Sequence, residues 1–236
     1  PIHIFTAINE LTTILDKVGP LTTNNSLSEI ITNRGIYKYA DLAYSENPEI
    51  MKNTADRRIA PSAFERMPEL FTENKPSNKY DYIQMLGNIK GERVYRWFRK
   101  DYILPTENLN VYKVLVPKAN GSGAIGEVLS TPLIGSPLIG FTETYISIGS
   151  TKNESEAEAI LKYVKTKFAR TMLGILKVTQ NNPKETWAYV PMQDFTAKSD
   201  IDWSKPVSEI DKQLYRKYNL DDSEVAFIES MIKPME

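Results

Sequence analysis

The spacing of apolar residues changes twice along the chain, and those changes divide it. Residues 9–18 (NELTTILDKV) carry a short helical pattern, with Asn9 as a cap and Gly19-Pro20 as the stop. In SLSEIITNRG, Ser26 and Glu29 stand at capping-box spacing and Gly35 closes the turn. PSAFERMPELF predicts a helix starting near Pro61-Ser62, kinked or ended by Pro68. After a polar loop (TENKPSNK) the period drops to two. YDYIQMLGNIKGERVYRWFRKDYI predicts two strands across an Asn88–Gly91 turn, and LNVYKVLVPK a third. GEVLSTPLIGSPLIGFTETYISIGS is dense in glycine, proline and β-branched residues, which predicts short strands and tight turns, with TETYISIG the clearest strand. Its doubled PLIG has too short a period to be a fold repeat.

The longest helical stripe spans residues 154–179. Ile160, Val164, Phe168, Met172 and Ile175 recur at three- and four-residue steps. Glu154, Glu156 and Glu158 lie in the first turns, where the helix dipole favours anions. Asn181-Asn182-Pro183 ends the pattern. ETWAYVPMQDF predicts another strand or extended segment, followed by short helices near 207–218 and 221–231, the second opened by Asp221-Asp222. The predicted class is α+β: a helical segment over 1–78, a core over 79–193 with a mostly antiparallel twisted sheet and one long helix, and a helical tail over 194–236.

Charge sharpens this division. The net charge of −1 hides segregation. Residues 79–119 hold eight Lys/Arg against four acids, and residues 152–184 seven against three; residues 194–236 hold six against ten. Two basic segments and an acidic tail predict a one-sided field, although scatter over solvated faces gives the same count. The chain has 236 residues, no cysteine and a single histidine, His3. Disulfides, zinc–thiolate sites, cysteine nucleophiles and a Ser-His triad are therefore not expected. With no membrane-length apolar run and no leader pattern, the expected compartment is the cytoplasm, and the start at Pro1 suggests an excised piece of a longer chain.

Four stretches invite chemistry. Gly121, Gly123 and Gly126 spell G-x-G-x-x-G after an apolar run, the opening of a dinucleotide fingerprint. That fingerprint needs a helix after the third glycine, and Pro132, Gly135, Pro137 and Gly140 forbid one. What remains is a turn carrying Lys118, Asn120 and Ser122, facing either nucleic-acid phosphate or nothing beyond a strand reversal. In ERVYRWFRKDY, Arg93, Arg96, Arg99 and Lys100 interleave with aromatic residues. Arginine forks suit phosphates and guanine edges, and rings stack on bases, so Trp97 is expected in the core with at least one arginine on a ligand. Lys167, Arg170 and Lys177 share a helix face away from the apolar stripe, either as a phosphate-facing ridge or as a solvated row. Asp200, Asp202 and Lys205 in DIDWSK come closest to a metal-nuclease set, and they read as turn and capping residues.

The stretch VYKVLVPKANGSGAIGEVLSTPLIG, and above all KTKFAR…LGILKVTQNNPKETWAYVPMQDFT and IDKQLYRKYNL…FIESMIKPM, resembles the C-terminal specificity region of bacterial restriction-modification enzymes that methylate adenine N6 in DNA. The resemblance covers roughly residues 80–236. Such enzymes bind S-adenosylmethionine at an F-x-G-x-G loop and hold the flipped adenine with Asn-Pro-Pro-aromatic. Here the Asn-Pro pairs at Asn47 and Asn182 lack the second proline and the aromatic, and the glycine loop lacks both its leading aromatic and its helix. The resemblance therefore implies a target-recognition domain with no catalytic residue, cofactor or metal of its own. S-adenosylmethionine, and Mg²⁺ if the parent cleaves DNA, belong elsewhere in the parent enzyme. The implied partners are double-stranded DNA and the methyltransferase catalytic domain, with no membrane. Asn120, Ser122, Gln180 and Asn181 are the candidates to read bases, since amide side chains pair with adenine in the major groove. A nuclease domain around Asp200 and Asp202, or a docking module built on the acidic tail, are the alternatives.

Overall fold

The computed structural model describes residues 8–52, 54–119, 129–177 and 179–235. The class is α+β, as the patterns predict. Eight helices are described: α1 (Asn9–Val18), α2 (Asp41–Glu46), α3 (Pro48–Met51), α4 (Ala63–Arg66), α5 (Glu154–Lys165), α6 (Lys167–Leu176), α7 (Val207–Lys217) and α8 (Asp222–Met231). The strands are β1 (Tyr82–Ile89), β2 (Glu92–Arg99), β3 (Tyr112–Pro117), β4 (Leu133–Gly135), β5 (Ile139–Phe141) and β6 (Tyr145–Thr151).

The strands form two three-stranded sheets rather than one, ordered β2-β1-β5 and β4-β3-β6. β1 and β2 make a hairpin in which Ile89 faces Glu92. Lys90 and Gly91 both have positive φ, 50° and 86°, the geometry of a two-residue hairpin turn whose twist matches the flanking strands. β5 joins β1 in parallel, the one departure from antiparallel pairing among the described strands.

The second sheet divides the interior. On β3, Val114 and Val116 enter one apolar cluster while Leu115, between them, enters another. β6 behaves alike: Ile146 and Ile148 face the first cluster and Tyr145 the second. Side chains alternate across a strand, so a sheet covered on both sides needs the near-continuous apolar run that VLV and YISI provide. The first cluster gathers α1, α5, α6, α7 and α8; the second gathers residues 37–71 with β1, β2 and β5. The helical start of the chain is thus split between the cores, with α1 packed on α8 near the other end of the chain.

Local capping explains several boundaries. Ser26 and Glu29 form the predicted capping box, on a 3-10 turn over Leu27–Ile30. α1 begins where expected, but Ile8 is its N-cap and supplies no side-chain bond. α4 stops at Arg66, before Pro68. Asp221 caps α8, accepting from Ser223 and Glu224 amides at 3.0 and 3.1 Å.

The long helix expected over 154–179 is two helices. Thr166 leaves helical geometry (φ −58°, ψ 148°), and its Oγ1 accepts the Ala169 amide at 3.1 Å, so it ends α5 and caps α6. The Asp211 carboxylate of α7 accepts the Lys167 and Phe168 amides at 3.0 and 2.9 Å, occupying two more donors of the new N-terminus. The apolar stripe continues across the break because both helices press on the same core. The stretch ETWAYVPMQDF is not a strand: Lys184–Trp187 is a 3-10 turn followed by irregular chain.

Candidate nucleic-acid interface

Two residues expected to contact DNA line one cleft. Lys118 follows β3, and its amide donates to Thr144 O at 2.8 Å. Its carbonyl accepts the Asn182 amide at 2.6 Å, and Ala119 bridges to Asn181. The chain leaving α6 is thereby laced to the end of β3, although the two segments lie some 60 residues apart in sequence. A cleft of about 470 Å³ opens beside this junction, lined by Lys118, Asn181, Thr32, Asn33, Arg34 and Lys184, with Glu185 as its acidic member.

Arg34 and Lys184 were not singled out by the sequence. Arg34 is held in place by its neighbours: the Thr32 amide donates to Ser147 O at 2.9 Å, pinning this segment to β6. Gly35 then turns with φ +71°, and a Cβ there would stand 2.6 Å from Arg58 Cδ and 2.8 Å from Glu143 Oε1, so only glycine fits. Arg34 donates to buried Glu143 through Nε (2.8 Å) and Nη2 (3.2 Å), yet half of its side chain stays exposed at the cleft. Lys184 follows the Asn-Pro pair that reads only as a helix stop. The single sequence cue for either residue is a cation beside a turn-forming glycine or proline.

Lys118 and Lys184 have no carboxylate within ion-pair distance among the described residues. Two such ammonium groups line the cleft beside a half-exposed guanidinium paired with Glu143, and this lining has the chemistry to pair with an anion that carries several oxygens. The Asn33 and Asn181 amides offer paired donors and acceptors beside them. Gln180 is exposed next to Asn181. Asn120, Ser122 and the three glycines of the G-x-G-x-x-G stretch lie outside the described residues.

The other expected contacts do not converge on this cleft. Arg93, on β2, is exposed, donates to Thr131 O and lies 6.0 Å from the centre of the Tyr145 ring. Arg96 pairs with Glu73 at 2.9 Å and also donates to Tyr95 O at 3.0 Å. Arg99 is buried, donating through Nη2 to Asp101 at 2.8 Å and through Nη1 to Glu46 at 2.6 Å; the Asp101 bond holds its pKa above the usual guanidinium value, outweighing burial. Trp97 is only partly buried, and Phe98, on the opposite face of the strand, is the fully buried ring. The alternation was right and the core face was inverted. Lys100 is exposed and lines a separate cavity.

The helix row is a clearer correction. Arg170 and Lys177 are buried, at 2% and 1% exposure, so they form no surface ridge. Arg170 donates to Lys165 O, Thr166 O and Lys233 O at 3.1, 3.3 and 2.7 Å, tying the helix break to the segment that follows α8. Burial lowers the pKa of both groups. Lys167 reaches the Glu229 carboxylate at 2.5 Å. A cation away from the apolar stripe looks solvated in sequence; here α7, α8 and residues 233–235 cover Lys167 and Arg170.

Asp200 and Asp202 act as turn and pairing residues. Asp202 accepts the Ser204 amide at 3.0 Å, and Asp200 pairs with Lys217 at 2.8 Å. Among the described residues no group of three or more His, Cys, Asp or Glu is placed to hold a metal, and no helix is long and apolar enough to cross a membrane. Comparison with protein-family models, curated proteins and solved structures gives no match.

Proposed function

We propose that this chain reads the sequence of double-stranded DNA, as the target-recognition domain of a bacterial restriction-modification enzyme that methylates adenine N6. The observation that carries this reading is the convergence of Lys118 and Asn181, chosen from sequence, on a cleft that also presents Arg34 and Lys184. In this reading the three cations neutralise phosphates and set the register, while Asn33, Asn181 and Gln180 test base edges. Contacts of the first kind carry no sequence information; those of the second kind carry the discrimination. The chain performs no chemistry itself. Methyl transfer, with S-adenosylmethionine, belongs to a catalytic domain of the parent enzyme, as does any Mg²⁺-dependent cleavage. The cytoplasm is the compartment such a role requires.

Selection from a random duplex pool tests this directly. The protein is expected to enrich one short sequence at low salt and to release it over the range of about 50 to 200 mM. A retained pool that stays random would remove the sequence-reading role.

A further inference from the structure

A cavity of about 840 Å³ lies away from the cationic cleft and is lined by Lys79, Tyr80, Asp81 and Lys100 together with the segment from Ile103 to Glu107. Its distinctive feature is a prebuilt aromatic platform. The Arg99 guanidinium lies 3.5 Å from the centre of the Tyr80 ring and 4.3 Å from that of Tyr102. Glu46, Asp101 and the Tyr102 hydroxyl fix that guanidinium at 2.6, 2.8 and 2.9 Å. Tyr80 is thereby held on a buried cation, and it still exposes 36% of its surface. The segment beneath it is fixed as well: the Tyr80 amide donates to Asn78 Oδ1 at 3.0 Å, and the Lys100 amide to Asp81 O at 2.9 Å.

An exposed ring held rigid in a cavity loses little entropy when a second planar group stacks on it. The lining also offers the apolar side chains of Ile103, Leu104 and Pro105. The rim offers donors and acceptors in balance. Asp101 is committed to Arg99. The Lys79 ammonium lies 5.4 Å from the centre of the Tyr80 ring, on a flexible side chain that an incoming base would displace to the rim. Lys79 and Lys100 then stand against Asp81 and Glu107, with the Asn110 amide and the Thr106 hydroxyl beside them. Such a lining has no excess positive charge for a polyphosphate. It matches the mixed edge of a nucleobase and the hydroxyls of a sugar, and the volume holds a nucleoside.

We infer that this cavity binds one nucleobase, stacked on Tyr80, either as a free nucleoside or as an unpaired base within a strand. The inference does not rest on the proposed DNA-reading cleft. The experiment is a fluorescence titration with 2-aminopurine deoxynucleoside and, separately, with a single-stranded oligonucleotide carrying one 2-aminopurine. Saturable quenching is expected with the wild-type protein and with Tyr80→Phe. Base–aromatic stacking predicts a loss of affinity of about tenfold or more in Tyr80→Ala. Thermal melting of Tyr80→Ala is expected to fall by a few degrees, since the ring covers the Arg99 guanidinium, and to remain a single cooperative transition well above the titration temperature. Tighter binding of the oligonucleotide assigns the pocket to an unpaired base; equal binding assigns it to a free nucleoside. Lys118→Ala leaves the nucleoside titration unchanged, which separates this pocket from the cleft. No saturable binding of either probe, or equal affinity in Tyr80→Ala, overturns the inference.

Discussion

Lys113 makes the fold's stability depend on pH in a direction that can be worked out in advance. Its side chain is fully buried beside Leu115 and Gly135. Nζ donates to Asn108 O at 2.8 Å and Val111 O at 3.2 Å, and no carboxylate lies within ion-pair distance among the described residues. Burial without a counter-ion lowers its pKa from the usual 10.5 to about 7. Between those values the unfolded chain binds a proton that the folded chain does not, so stability rises with pH across that window and is lost as pH falls towards 7. At about 1.4 kcal/mol per unit, the full effect is on the order of 5 kcal/mol. Lys113→Met removes the titration and leaves two carbonyls without that donor, at about 1–3 kcal/mol each. The substitution is therefore nearly neutral close to pH 7 and clearly destabilising near pH 9.5. Urea denaturation at both values measures this, and the wild type is expected to gain roughly 3 kcal/mol on the variant between them. A wild-type–variant difference that stays constant with pH would refute the reasoning.

Three further outcomes follow from packing. Phe98→Ala removes a fully buried ring stacked 4.4 Å from Phe71 and is expected to cost about 3–5 kcal/mol by chemical denaturation, with Trp97→Ala costing clearly less. Gly87→Ala would put a Cβ 2.5 Å from Phe64 Cε2, so overpacking of about 1–3 kcal/mol is expected in the same assay. Arg170→Ala is expected to lower stability by about 1–3 kcal/mol, because a fully packed side chain is lost and the buried Thr166 O loses its guanidinium donor, while leaving DNA affinity per folded molecule unchanged in a binding titration.

Local signals were legible in the sequence wherever the cause is local. The Lys90-Gly91 hairpin, the capping box at Ser26, the cap at Asp221 and the stop before Pro68 depend on residues within one turn of each other. The break at Thr166 was hidden because half of its cause, Asp211, lies more than 40 residues away and the apolar stripe runs on unbroken. Burial of Arg170 was hidden for a related reason: a cation outside the stripe is exposed on a lone helix and covered once α7, α8 and residues 233–235 pack over it. The inversion of Trp97 and Phe98 shows that period two gives the alternation of faces without saying which face is the core. Lys118 and Asn181 could be chosen from residue type and loop context. Their meeting, and the addition of Arg34 and Lys184, required the pairing of β3 with the chain after α6.

The most direct test of the proposed cleft is the salt dependence of duplex DNA binding in the wild type and in Arg34→Ala/Lys118→Ala/Lys184→Ala. Each phosphate neutralised contributes about 0.9 to the slope of log K against log salt. The DNA-reading account predicts that the triple substitution weakens binding across all sequences and reduces the slope by about 2 to 3. An unchanged slope in a folded triple variant would contradict it.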